Sequence, residues 1–390
     1  MEFNKKKVLL VLQVGTLGGA ERQALGLGRY LTKYRNCNVD ILFTSSNKIT
    51  KDFQDFYKET GINQIHYFGE PYIILRREFS IKNLKRLKWS VQYLLRLRKG
   101  LKQEKYDVVI PFLNFPSKIA YYLYKILPTV KYTFWHQLGL DFLKKDIFES
   151  VAVNNMPCII GNAENCFDIF KKDYKVQPSK FNLLPQYITL NREDSDMSKF
   201  KTTYGINKDK IVFGMIAHFR SFKYHDLALK IFYELSKNYD TAHLILQGNR
   251  ENDHISNDIY LSLKQEIFDL GISDKVTLLS NVKVVDVLNV LDVGMLLSLI
   301  EGTPNVVMEY MLYGLPVISS NHPGCIGLLG DSKFLVKNND ENGILKAMEL
   351  LLNGKDLREI EGNNNLKRIK DYDIDSYVIK LEQILTNYFD

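Results

Sequence analysis

Two doubly wound α/β domains joined in one chain are what the sequence predicts, and three observations predict them. Short apolar runs alternate with helix-periodic segments along the whole chain, the pattern of parallel sheets covered by helices on both faces. A polar stretch at 191–201 (NREDSDMSKFK) separates two such series and reads as a linker. At 390 residues the chain is long enough for two domains of ordinary size.

The first series has strand-like runs at 8–14, 39–44, 64–68, 107–112, 131–135, 158–161 and 181–185. The second has them at 211–217, 243–247, 275–279, 292–298 and 316–319. Central parallel strands are buried on both faces, so they read as continuous apolar runs, as at 8–14. Two Rossmann-like domains facing a central cleft are the simplest account. The expected boundaries are 1–190 for the N-terminal domain and 191–373 for the C-terminal one, with a last helix at 374–390. No short repeat or low-complexity tract interrupts this pattern.

Hydrophobic residues make up 45 % of the chain and charged residues 25 %, the proportions of a globular protein. The four cysteines (Cys37, Cys158, Cys166, Cys325) form no CxxC pair. That argues against a zinc site or a disulfide framework and fits a reducing cytosol. The basic and then apolar start, KKKVLLVLQV, is too short for a leader and lacks a cleavage site, so it reads as the first strand. No window approaches the roughly 18 apolar residues of a membrane-spanning helix.

The net charge of +7 is local: residues 76–105 hold eleven Lys or Arg against two Glu. A protein that coats nucleic acid would spread its cations more widely, so that role is excluded. Ile81, Leu84, Leu87, Val91, Leu94, Leu95 and Leu101 form a helical apolar face in this segment. Two readings stay open. The face packs on the first sheet, or it lies on anionic lipid, where each cation adds about 1 kcal/mol.

The chemistry concentrates in 299–330 (LIEGTPNVVMEYMLYGLPVISSNHPGCIGLLG). A strand end leads into an acidic loop, and Thr303 is placed to cap a helix that starts at Pro304 and stops at Gly314. Glu301 precedes that helix and Glu309 lies inside it. The helix start offers an anion site between two carboxylates, which suits a ligand with phosphate in the middle and hydroxyls at both ends. A nucleotide-sugar has that layout. The alternative is an ordinary capped αβ unit with surface glutamates. Residues 15–20 (GTLGGA) join a strand to a helix as a phosphate-binding turn would, without the full dinucleotide fingerprint. His136 closes a strand, where ligands collect in open α/β sheets; it is either a proton carrier near neutral pH or a structural histidine. The Asp-x-Asp pairs at 194–196 and 373–375 fall in the linker and before the last helix, so no metal site is expected.

The run E-G-x-P-N-V-V-x-E-x-M-x-x-G-L-P-V-I at 301–318 resembles the paired-glutamate motif of retaining glycosyltransferases with two Rossmann-like domains. This is the GT-B fold, and the resemblance is to glycosyltransferase family 4, group 1. It implies that Glu301 faces the transferred sugar, that Glu309 holds the nucleotide ribose, and that Thr303, Pro304, Asn305 and Val306 meet the diphosphate. Gly18-Gly19-Ala20-Glu21-Arg22 is similar to the family's first glycine loop, which places Gly18 and Gly19 beneath the donor phosphates. Residues 218–226 (HFRSFKYHD) resemble its basic loop, usually G-R-x-x-x-x-K-G, and make Arg220 and Lys223 the cations of the diphosphate. Gly248 and Asn249 fall at the family's turn near the nucleotide, and Asn281 and Val282 at its base-binding edge. His136 matches a histidine that faces the acceptor. Residues 182–188 (NLLPQYI) resemble the hinge-side V-x-P-N-G-I run with Gln186 in place of asparagine, and the last helix packs back on the first domain in relatives. The family's later glutamate has no counterpart in 322–327 (HPGCIG).

The expectation is therefore a retaining hexosyltransferase that uses a UDP-sugar without a metal cofactor. It would modify a glycan or polyprenyl-linked acceptor for bacterial surface polysaccharide. A cytoplasmic location is expected, with peripheral contact on the inner face of the membrane. A UDP-sugar 2-epimerase or hydrolase of the same fold, and a non-catalytic nucleotide-sugar-binding partner subunit, are the alternatives.

Overall fold

The computed structural model describes residues 1–139, 143–250 and 254–389. The chain divides into two compact units, Met1–Thr189 with Ile374–Asp390, and Leu190–Asp373. Asp390, the end of the expected last helix, lies outside the described residues.

In the N-terminal unit, β1 (Lys7–Leu12), β2 (Asn38–Phe43), β3 (Gln64–Tyr67) and β4 (Val108–Pro111) form a parallel sheet in the order β3-β2-β1-β4. β5 (Trp135–Gln137), β6 (Ile159–Gly161) and β7 (Phe181–Leu183) form a second parallel sheet. Val108 of β4 also makes an isolated parallel bridge with Tyr132, shortly before β5. Val8 to Leu12 are fully buried, as a strand covered on both faces must be. The helix Ile374–Phe389 sets Tyr377, Val378, Leu381 and Leu385 into the same core as Val8 and Leu10. Glu382 on it accepts a 2.7 Å hydrogen bond from the Phe3 N–H.

In the C-terminal unit, β8 (Ile211–Ile216), β9 (Ala242–Gln247), β10 (Val276–Leu279), β11 (Val293–Leu296), β12 (Val317–Ser320) and β13 (Leu335–Val336) form one parallel sheet. Its order is β10-β9-β8-β11-β12-β13, so chain direction across the sheet reverses between β8 and β11. Ligands of open α/β sheets bind outside the carboxyl ends of the strands at such a switch point. Two glycines pair across it, Gly214 of β8 with Gly294 of β11. The ring of Tyr310 fills the space over Gly294 where a Cβ would collide. The Tyr310 hydroxyl accepts from the Ile216 N–H at 2.9 Å. Tyr310 belongs to the helix Asn305–Leu312, so this contact pins that helix over the switch point.

Several expectations need correction. The helix begins at Asn305 with Pro304 as its cap residue and no side-chain cap bond, so Thr303 is not the cap. Pro304 fills the capping position with an extended backbone instead of opening the first turn. The glycine-rich stretch after β12 is helical over Pro323–Leu329, where Pro323 at the first turn forgoes an N–H that has no partner there. His136 sits in the middle of β5, not beyond a strand at 131–135. The two-residue β13 was too short to read from periodicity.

Candidate functional site

The loops after β8 and β11 stand side by side at the switch point. The first carries Arg220 and a short 3-10 turn, Ser221–Lys223; the second carries Glu301. The Leu299 N–H donates to the Phe222 carbonyl at 2.9 Å and ties the loops together. Lys223 Nζ forms an ion pair with Glu301, and both side chains are mostly buried. Arg220 sits one turn away and donates through Nη1 to Ser256 Oγ at 2.7 Å. His218, which the basic-loop register would also admit as the cation, is exposed. Two cations and a carboxylate are thus set at the mouth of the sheet, with the start of the helix Asn305–Leu312 beside them.

A second contact shapes the loop from below. A Cβ at Gly324 would run into the Gly302 carbonyl oxygen, so the first turn of Pro323–Leu329 packs backbone to backbone against the Glu301 loop. Thr303 and Pro304 are buried there, while Asn305 and Val306 are half-buried at the helix start. Glu309 is buried on the inner side of that helix, next to the Tyr310 that anchors it. His322, which caps Pro323–Leu329, lies within the electric field of both Glu301 and Lys223.

Gly248, Asn249, Asn281 and Val282 come together at the carboxyl ends of β9 and β10, where Gln247 Nε2 donates to the Val282 carbonyl at 2.6 Å. Gly248 is needed for packing: a side chain there would meet Ala217 O and Phe219, and its N–H already donates to Leu279 O at 3.2 Å. Asn281 is exposed at φ +60, a left-handed position that asparagine tolerates.

Gly18, Gly19 and His136 belong to the N-terminal unit. Gly18 caps the helix Gly19–Arg35, and its N–H is already shared between Thr16 O at 3.0 Å and Glu21 Oε2 at 3.2 Å. That amide is therefore not an open phosphate donor. Burial pushes the Glu21 carboxyl up to about 7. His136 is buried between the rings of Phe112 and Phe134, and burial holds its imidazole down to about 4. It is neutral at pH 7, which fits the structural reading of this histidine better than a group that titrates near neutrality. Its Nδ1 lies 2.9 Å from Pro111 O, so Nδ1 carries the proton and Nε2 keeps a lone pair. Nε2 is buried and has no hydrogen-bond partner among the described residues.

The basic segment packs through a face other than most of its apolar stripe. The helix Ile81–Leu101 turns Asn83, Ser90, Tyr93, Leu97 and Leu101 inward. Of the apolar face read from the sequence, Ile81, Leu84, Leu87, Val91 and Leu95 are exposed, with Ile81 at 75 % and Leu84 at 63 %. Phe79 just before it is fully exposed. Two concavities flank the helix, one of about 570 Å³ lined by Tyr72, Trp89, Leu95, Arg96 and Lys99, the other of about 310 Å³ lined by Arg76, Arg77, Phe79, Leu84 and Leu87. Among the described residues no helix is long and apolar enough to cross a membrane. No group of three or more His, Cys, Asp or Glu among them is placed to hold a metal ion.

Sequence reading missed Ser256, His322 and Cys325. The last two were legible as an i, i+3 pair at a helix start (HPGC).

Fold and site together define a GT-B glycosyltransferase. Residues 196–368 match the model of glycosyl transferases group 1, and residues 17–192 that of Glycosyltransferase Family 4. The chain belongs to this family, group 1 of glycosyltransferase family 4. An uncharacterized glycosyltransferase of Haemophilus influenzae is 22 % identical over 98 % of this chain and 100 % of its own length. An undecaprenol-linked glycan α-1,4-N-acetyl-D-galactosaminyltransferase of Campylobacter jejuni is 25 % identical over 94 % of this chain and 95 % of its own. Anabaena HepE in complex with UDP-glucose superposes with a TM-score of 0.77 at 15 % identity, covering 98 % of this chain and 100 % of that one.

Proposed function

We propose that this glycosyltransferase moves a sugar from a UDP-sugar to a glycan carried on a polyprenyl diphosphate, with retention of configuration and without a metal, in the assembly of a bacterial surface polysaccharide. The observation that carries the reading is the Lys223–Glu301 pair at the switch point, with Arg220 one turn away. Supporting it are the printed activities of two relatives, the Campylobacter enzyme and an Escherichia coli UDP-Gal:α-D-GlcNAc-diphosphoundecaprenol α-1,3-galactosyltransferase, 24 % identical over 76 % of this chain and 79 % of its own.

The diphosphate lies against Arg220, Lys223 and the helix start at Thr303 to Val306, Glu309 receives the ribose hydroxyls, and Glu301 faces the sugar. The bond between the anomeric carbon and the diphosphate oxygen breaks, and the leaving group keeps the electron pair. The acceptor hydroxyl bonds to the same face of that carbon and passes its proton to the departing phosphate oxygen. The two fixed cations stabilise the charge that develops there, the role a divalent ion has in other transferases. Glu301 steadies the positive charge on the sugar, and the rest of the acceleration comes from alignment. His136 takes a hydrogen bond from an acceptor hydroxyl on its Nε2 lone pair. The exposed apolar and cationic faces of Ile81–Leu101 rest on anionic lipid, which keeps a lipid-linked acceptor within reach.

The test is incubation with UDP-sugars and polyprenyl-diphosphate glycans, followed by NMR of the product. Transfer that needs acceptor, with an axial product from an axial donor, is expected. UDP-sugar conversion without acceptor would favour the epimerase, and an inverted product would refute retention.

A further inference from the structure

The site contains a buried hydrogen-bond chain that no role above uses. Ser319, at the end of β12, donates through Oγ to Cys325 Sγ at 2.9 Å, and Cys325 Sγ lies 3.2 Å from His322 Nε2. Ser319 and Cys325 are fully buried and His322 is 7 % exposed. Burial pushes the Cys325 thiol up to about 12, so it keeps its proton. With the sulfur accepting from Ser319, the thiol proton goes to His322 Nε2. The imidazole proton is then on Nδ1. That atom is buried and has no hydrogen-bond partner among the described residues. An orphaned N–H of this kind carries an uncompensated desolvation cost that a ligand oxygen would relieve.

Location points to which ligand. His322 feels both Glu301 and Lys223, Glu301 first. The turn that carries it is locked to the Glu301 loop by the Gly302–Gly324 contact. We propose that His322 is a further donor-sugar contact: its Nδ1–H, set in that tautomer by Ser319 and Cys325, donates to a hydroxyl of the sugar carried on the nucleotide. Cys325 acts through His322 and is a positioning residue. This inference rests on the UDP-sugar reading above.

The experiment uses the full chain and whichever of UDP-glucose, UDP-galactose and UDP-N-acetylgalactosamine raises Tm most, with UDP alone as the second probe. Asparagine places an amide N–H near the position of Nδ1 and leucine places none. His322→Leu should weaken the UDP-sugar about tenfold, the worth of one net hydrogen bond, and change UDP affinity less than twofold. His322→Asn should recover most of the loss. Equal weakening of UDP and UDP-sugar, or no weakening, overturns the proposal. A second readout needs no variant: ¹⁵N shifts of the wild-type imidazole should show Nδ1 protonated, moving toward the mixed-tautomer value in Cys325→Val. An Nε2-protonated ring in the wild type refutes the chain. Wild-type protein that binds neither UDP nor any of the three sugars fails the underlying reading itself, and the inference falls with it.

Discussion

Replacing Lys223 by methionine separates the two things this ammonium does. Its side chain is 16 % exposed and that of its partner Glu301 is 14 % exposed, so both charges sit in a largely desolvated place. In the reaction, one unit charge about 4 Å from the charge growing on the leaving diphosphate contributes about 4 kcal/mol at an effective dielectric of about 20. Its loss should lower kcat by about 10³. In the resting protein, the same substitution leaves the Glu301 carboxylate without its cation. A fully buried pair broken this way costs about 3–5 kcal/mol; residual exposure brings the expectation to about 1–3 kcal/mol. Glu301→Gln added to Lys223→Met removes the orphaned charge. Calorimetry should therefore find a lower Tm in the single variant and a largely recovered one in the double. UDP release in the presence of acceptor should stay depressed in both. Activity within tenfold of wild type in Lys223→Met, or activity that recovers together with Tm, would refute the assignment of Lys223 to the leaving group.

Further outcomes follow from other parts of the chain. Chelator should leave turnover unchanged, and magnesium or manganese should not raise it; loss in chelator with rescue by either ion contradicts the two-cation mechanism. Gly324→Ala forces a Cβ into the Gly302 carbonyl and should displace the Glu301 loop, costing at least tenfold in kcat/KM with little change in the N-terminal core. Leu84→Asp with Leu87→Asp should weaken sedimentation with phosphatidylglycerol vesicles while a short water-soluble acceptor is still glycosylated at the normal rate; vesicle binding unchanged by both substitutions would remove the lipid from the account. Stability should fall on acidification below about pH 6.5. Burial holds His136 down to about 4, His225 to about 3 and His243 to about 4, while the unfolded chain protonates at about 6.5. From these three histidines the unfolded state binds more protons in this window, so their contribution is complete above about pH 6.5 and declines by at most about 1.4 kcal/mol per histidine per pH unit below it, offset in part by Glu21, whose carboxyl burial raises to about 7. A urea midpoint that stays flat between pH 7 and 5 would contradict this.

The strands were legible because parallel strands buried on both faces leave uninterrupted apolar runs such as 8–14 and 293–296. The pairing of Lys223 with Glu301 was legible only as two motifs 78 residues apart. What places them together is the adjacency of β8 and β11, a property of sheet order that no local pattern encodes. Which face of the basic helix packs was not legible, for a definite reason. Helical periodicity identifies an apolar stripe but not its partner, and the inward face of Ile81–Leu101 includes Asn83 and Ser90, both polar. Asn83 is satisfied by the Arg76 and Glu78 carbonyls and Ser90 by the Arg86 carbonyl, so they tolerate burial that the sequence alone would assign to leucine. His136 shows the reverse: its strand position left titration and a structural role both open, and what decides the direction of its shift is burial, which no local pattern shows.

Calorimetric titration of the UDP-sugar into wild type and into Arg220→Ala with Lys223→Met tests the central claim most directly. The account predicts binding in the wild type and a loss of at least a hundredfold in the double variant, with the fold intact by circular dichroism. Equal affinity in the two proteins would show that the nucleotide-sugar is held elsewhere.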